Sequence, residues 1–253
     1  MVEAAVKSAD RALVLIERLG ETSGEMSHAE LAEALAIPKS SLTQLLKTLV
    51  ARGWLDYDAA AKTYALGPAI TRLARQSDAV ARLPQMAGEI LARLTAATSE
   101  SAALNLQRGD EAEVVATVLS PQRLLSIMRL GDRAPLYATS GGKAILAFLP
   151  PRAVGAYLKR VRFQPATPQT LAAVEPLNAQ LETIRALGVA TSIEEFTPGV
   201  VGLACPLIDG ESRVLASVNL ALPASRYSPA VHAAAVDALH RAVAEFTARL
   251  ERR

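Results

Sequence analysis

A single cysteine, Cys205, in a chain of 253 residues leaves no partner for an intrachain disulfide. Long hydrophobic runs are also missing. The longest, such as the one around residues 215–223, fall far short of the roughly 20 residues that cross a bilayer, and no membrane partner is expected. Charge of one sign is missing too: 27 basic residues stand against 25 acidic ones. A nucleic-acid partner would therefore have to meet local, not global, positive charge. The first residues, Met-Val-Glu-Ala-Ala-Val-Lys, lack the charged-then-apolar pattern of a secretion signal, and a reducing cytoplasm is the expected compartment.

Catalytic and metal-binding constellations are scarce as well. His232 and His240 lie eight residues apart with no carboxylate or cysteine at ligand spacing, and His28 sits at the start of a helix where exposure is expected. Cys205 has no neighbouring base to make it a nucleophile. Ser140-Gly141-Gly142-Lys143-Ala144 lacks the first glycine and the final hydroxyl residue of a phosphate-binding loop, and no dinucleotide fingerprint occurs. No metal, no cofactor and no enzymatic reaction are expected.

What is present is organised in two parts. At 253 residues with 51% hydrophobic content, two domains fit better than one core. Residues 6–19 place Val6, Ala9, Leu13, Ile16 and Leu19 at helical spacing. Ser27-His28-Ala29-Glu30 has the spacing of a capping box, with Met26 and Leu31 as the apolar staple, so a second helix starts there. It carries Leu31, Ala34 and Leu35 inward and stops before Ile37-Pro38. A third helix over 39–51 has Leu42, Leu45, Leu46 and Leu49 on one face and Ser40, Gln44, Lys47 and Ala51 on the other. Two short helices across a tight turn, the second small and polar on its outer face, make a helix-turn-helix. Between Ile37 and Gly53 the charges are Lys39, Lys47 and Arg52, without a carboxylate. Two β-rich runs, 54–57 and 63–66, then form a hairpin, the wing.

Gly67-Pro68 ends the wing and opens a linker helix over 69–80, followed by a separate helix from Leu83-Pro84 to about 98. Beyond it the pattern turns to short strands at 102–107, 113–119 and 124–130, a helix at 140–149, another at 171–187, strands near 189–192, 201–208 and 215–222, and a closing helix over 229–252. This reads as an α+β domain with a mixed or antiparallel sheet. The boundaries are 1–67 for the winged helix-turn-helix, 68–82 for the linker and 83–253 for the second domain.

These residues carry a resemblance. Val-Lys-Ser-Ala-Asp-Arg-Ala-Leu at 6–13, Ile-Pro-Lys-Ser-Ser-Leu-Thr-Gln-Leu-Leu at 37–46 and Tyr-Ala-Leu-Gly at 64–67 resemble the DNA-binding half of the IclR family of bacterial regulators. Ala-Pro-Leu-Tyr-Ala-Thr-Ser-Gly-Gly-Lys-Ala at 134–144 and the stretch 188–209, with Ser192, Glu195 and Gly202, resemble its effector domain. The resemblance implies a winged helix, a GAF-like effector-binding domain, and a dimer or dimer of dimers. It departs from the family at Gln44, where many relatives have arginine, at Gly202, and at Ser192, which is acidic in some relatives.

Candidate contacts to double-stranded operator DNA are Lys7, Arg11, Lys39, Ser40, Ser41, Thr43, Gln44, Lys47 and Lys62. Candidate effector contacts are Arg123, Met128, Ser140, Gly141, Gly142, Ser192, Gly202 and Asn219. The glycine-flanked helix start at 140–142 offers free N–H groups to a carboxylate, so the expected effector is a small organic acid, aromatic ones included. The expected function is transcription regulation, by repression or otherwise, through effector-dependent operator binding. The alternative is a ligand-binding dimerisation module without DNA function.

Overall fold

The computed structural model describes residues 6–21, 25–124, 126 and 128–252, with residues 75–77 described by their backbone alone. The chain divides into two compact units, Met1–Asp78 and Ala79–Arg253.

In the first unit α1 spans Lys7–Glu21, β1 Glu25–Ser27, α2 His28–Leu35, α3 Lys39–Ala51, β2 Leu55–Asp58 and β3 Thr63–Leu66. The three strands form an antiparallel sheet in the order β1-β3-β2. Helix α2 begins where its local chemistry dictates: the Ser27 hydroxyl accepts from Glu30 N, and the Glu30 carboxylate accepts from Ser27 N at 2.7 Å. It ends at Ala36, which takes a left-handed conformation with φ of 49°. Leu15, Leu19, Leu31, Leu42, Leu46, Leu49 and Leu55 form the core. Each such leucine contributes about 2 kcal/mol on full burial.

Two faces differ from the expected ones. On α1 the buried side is set by Leu15 and Leu19, whereas Val6 and Leu13 stand out in solvent at 70% and 61% exposure. The helix has two apolar stripes, and spacing alone does not say which one packs. On α2, Ala34 is exposed and Leu35 half-buried, leaving Leu31 as the anchor.

Helix α4 runs Pro68–Thr98 without interruption, with Pro84 inside it. The expected break at Leu83-Pro84 does not occur. An interior proline costs on the order of 3 kcal/mol, and the buried row Leu83, Ala87, Ile90, Leu91 and Leu94 holds the helix together across it.

The second unit continues with β4 (Ser101–Arg108), β5 (Glu111–Val118), β6 (Arg133–Pro135), α5 (Ser140–Phe148), α6 (Pro151–Arg160), α7 (Val174–Leu187), β7 (Ala190–Ile193), β8 (Val200–Ile208), β9 (Val214–Pro223) and α8 (Pro229–Glu251). The six strands pair antiparallel in the order β6-β5-β4-β9-β8-β7, so the sheet is antiparallel rather than mixed. Alternation sorts each strand's residues between two faces. Leu104, Leu203, Cys205, Val218 and Leu220 pack with the C-terminal part of α4 and with Leu239 and Phe246 of α8. Asn105, Gly202, Ala204, Ser217 and Asn219 lie on the opposite side, where α5 packs.

The expected strand at 124–130 is absent among the described residues. The loop's polar groups find other partners: Leu124 O accepts from the Arg226 guanidinium at 2.8 Å, and Arg129 N donates to the Asp132 carboxylate at 2.7 Å. The chain returns to the sheet as the three-residue β6. Helix α6, opened by Pro151, has no counterpart in the expected pattern.

Candidate functional site

Two places gather the expected residues. The first is the outer face of α3. Lys39, Ser40, Ser41, Thr43, Gln44 and Lys47 are all exposed there. Lys62 is exposed in the wing turn with φ of 56°, a turn closed by the Asp58 carboxylate accepting from Ala60 N and Ala61 N. Lys7 is exposed and Arg11 half-buried at the start of α1. Thr43 differs from its neighbours. Its hydroxyl donates to Lys39 O at 2.8 Å and therefore accepts from His28 Nε2 at 2.9 Å, which ties α3 to the start of α2.

The second place is a cavity of about 340 Å³ on the α5 side of the second unit's sheet. Of the expected effector contacts, Met128, Ser140, Gly141, Ser192, Gly202 and Asn219 line it. Arg123 and Gly142 do not. Arg123 is exposed on the loop that replaces the expected strand, and the arginine that does line the cavity is Arg133. Gly142 serves packing instead: a Cβ there would come within 2.5 Å of Leu136 O, so only glycine lets α5 approach the segment before it.

The start of α5 is built for a cavity wall. Thr139 caps it, its hydroxyl accepting from Gly142 N at 3.1 Å, and its carbonyl accepts from Lys143 N. A helix leaves its first four N–H groups without helical acceptors. With Gly142 N capped, the amides of Thr139, Ser140 and Gly141 remain without helical acceptors, and all three residues line the cavity. No acidic residue lies in this first turn, so the positive end of the helix dipole is not neutralised locally.

Gly202 makes room for Ser140, since a Cβ at 202 would meet Ser140 Oγ at 2.5 Å. Ser192 is buried and its hydroxyl faces Ala138 O at 3.4 Å, so this part of the wall carries no charge.

Behind the wall lies a buried ion pair. Lys143, fully buried, donates from Nζ to Glu195 Oε1 at 2.6 Å and to Thr191 O at 3.2 Å. Burial pulls the ammonium below the ordinary lysine range, and the Glu195 charge opposes that shift. Thr167 and Thr170 donate to Glu194 O and Glu195 O, each at 2.6 Å. These contacts fix the loop bearing Phe196 and Thr197, which form part of the cavity wall. Cys205 faces the other side of the sheet, and burial pushes its thiol up to about 12, which makes it a poor nucleophile.

Sequence reasoning missed Asn105, Thr139, Asp132 and Arg133 as lining residues. Thr139 carried a readable signal, a hydroxyl directly before a Ser-Gly-Gly helix start. Asn105 carried none: it reads as one polar residue in an apolar strand.

A winged helix joined in one chain to a ligand-cavity domain defines a DNA-binding transcription regulator. Two family models cover the chain accordingly, the IclR helix-turn-helix domain over residues 8–59 and the bacterial transcriptional regulator IclR C-terminal domain over residues 71–248. The chain belongs to the IclR family. It is 33% identical over 219 residues to the HTH-type transcriptional regulator Rv1719 of Mycobacterium tuberculosis, covering 86% of this chain and 82% of that protein. It is 29% identical over 225 residues to the HTH-type transcriptional regulator XynR of Escherichia coli, covering 89% of each. Among solved structures, the IclR protein of Thermotoga maritima matches with a TM-score of 0.64 at 26% identity, covering 97% of this chain and 99% of that one.

Proposed function

We propose that this regulator binds a small organic acid of a catabolic pathway in the second unit's cavity and that binding changes its affinity for operator DNA. The observation that carries the reading is the α5 start, where Ser140 and Gly141 line a cavity of about 340 Å³ and the first turn of the helix holds no acidic residue. A carboxylate is the anion of fitting size and charge for such an end. The cavity is large enough for an aromatic acid.

Operator contact falls to the outer face of α3, with Ser40, Ser41, Gln44 and Lys47 at bases or phosphates, Lys39 and Lys62 at phosphates, and Lys7 and Arg11 at the flanks. Glutamine pairs best with adenine, so Gln44 favours an adenine in the half-site. Residues 1–67 act as the reader, 68–82 as the linker and 83–253 as the sensor, in the cytoplasm. A two-fold operator needs two copies of the reader, one helical turn of about 34–36 Å apart. The outward stripe of α1, with Val6 and Leu13 exposed, supports self-association into a dimer or a dimer of dimers. An effector then acts by binding one arrangement of the readers more tightly than the other.

The test is selection of bound fragments from genomic DNA, followed by a mobility-shift assay with added carboxylates. Recovery of one palindromic site whose occupancy responds to a carboxylate is the expected result. Failure to enrich any site overturns the DNA assignment and leaves a ligand-binding dimerisation module. A site that responds only to uncharged or cationic compounds overturns the acid.

A further inference from the structure

The cavity wall contains one polar group whose orientation is dictated by its neighbours. Met128 Sδ can only accept a hydrogen bond. Asn219 therefore turns its amide nitrogen to that sulfur, at 3.1 Å, and its carbonyl Oδ1 the other way. Asn105 answers with its own amide nitrogen, donating to Asn219 Oδ1 at 2.7 Å and to Ser217 Oγ at 3.3 Å. Both Nδ2 hydrogens of Asn105 are thereby engaged, and its Oδ1 points away from the network. No donor among the described residues reaches that oxygen. It is not one of the sealed, unpartnered polar atoms, which among the described residues are Tyr157 Oη, Gln180 Oε1 and Glu195 Oε2. Asn105 is only 5% exposed and lines the cavity, so the oxygen opens into it.

The Asn105 carboxamide also lies close to the start of α5. A Cβ built on Gly141 would come within 2.6 Å of Asn105 Nδ2 and 3.2 Å of its Cγ. The carboxamide thus rests against the residue whose amide faces the cavity. A ligand that meets the amides of Ser140 and Gly141 with its carboxylate brings the next atom of its skeleton up to Asn105. That atom must supply a hydrogen-bond donor, because an unmet carbonyl oxygen in a closed site is costly.

We infer that Asn105 selects for a hydroxyl on the carbon beside the ligand's carboxylate: the effector is a 2-hydroxy acid. This deepens the organic-acid reading above and rests on it. An ammonium at the same place would need a charge partner; Ser140, Ser192, Gly202, Ser217 and Asn219 are neutral, and the wall's one carboxylate among the described residues, Asp132, is exposed and already accepts from Arg129 N at 2.7 Å. A 2-oxo acid would set its own lone pairs against Asn105 Oδ1. Discrimination by a site built for a donor is stronger than discrimination by fit alone, because the wrong ligand leaves the protein's acceptor unpaired.

The experiment is calorimetric titration of the full-length protein with three acids of one shape: mandelate, phenylacetate and phenylglyoxylate. Mandelate is expected to bind about ten- to a hundredfold more tightly than phenylacetate, with phenylglyoxylate weakest. Equal binding of all three overturns the hydroxyl inference and leaves the carboxylate reading intact. Binding of none at millimolar concentration overturns the carboxylate reading and this inference with it. In Asn105→Ala the preference for mandelate over phenylacetate should fall to near unity while phenylacetate affinity holds. Retention of the full preference in that variant would remove Asn105 as its source. The ligand series uses the unaltered chain, so its outcome stands even if the variant folds poorly.

Discussion

Helices α2 and α5 begin alike and end up with different work. Each has a hydroxyl cap, Ser27 in one and Thr139 in the other, accepting from the backbone three residues on. After the cap, α2 reads His-Ala-Glu-Leu and α5 reads Ser-Gly-Gly-Lys. The glutamate at the third position closes the α2 start by reaching back to Ser27 N, and the leucine after it anchors the helix in its core. At the same two positions α5 has a glycine pressed on Leu136 and a lysine paired with Glu195. One capping scheme thus gives a structural joint when an acid completes it and part of a cavity wall when the acid is withheld.

The fourth position offers the largest break in that comparison. Lys143→Met leaves Glu195 buried without its partner and should cost about 3–5 kcal/mol, read as a lowered urea midpoint. Adding Glu195→Met should recover much of that loss, since an apolar pair avoids the desolvation penalty. A smaller effect is expected at the third position. Gly142→Ala drives a Cβ onto Leu136 backbone and should cost about 2–3 kcal/mol in the same assay.

The second position sharpens the contrast differently. Gly141→Ala meets the Asn105 side chain, which can turn, so the fold should hold while mandelate binding weakens about tenfold in calorimetric titration. On α2, Ser27→Ala should cost about 1 kcal/mol of thermal or chemical stability and leave the second unit's ligand response unchanged.

The smallest effect concerns pH. Hydrogen bonds from the backbone and then the side chain of Ser27 hold the Glu30 carboxyl below its ordinary value of 4.5. A carboxyl lowered in the folded state stabilises it above that value, and the contribution is lost as pH falls below it. Glu30→Gln should therefore flatten the acid limb of the first unit's stability, measured by circular dichroism between pH 3 and 6.

The same contrast explains what was legible in the sequence. The α2 start could be read in four residues because all its partners lie within them. So could the helix start at 140–142, the wing, and most of the strands, whose alternation is local. What failed depends on distance. Asn105 takes its meaning from Ser217 and Asn219, which are 112 and 114 residues away. Lys143 and Glu195 stand in separate motifs 52 residues apart, and only folding joins them. The α1 stripes are equivalent until Leu31 and Leu46 choose between them. Pro84 reads as a break by local rules, and the buried leucines around it overrule them.

The empty place at Gly202 has a consequence for anyone redesigning this protein as a biosensor. Because Ser140 Oγ occupies the volume that a side chain at 202 would need, the two positions behave as one. Enlarging 202 alone pushes the Ser140 hydroxyl aside and changes the cavity's shape at the start of α5. Libraries that vary 140 and 202 singly will score most substitutions as losses, whereas exchanging bulk between them, as in Gly202→Ala with Ser140→Gly, keeps the total volume. New specificities in this scaffold are to be sought in that pair.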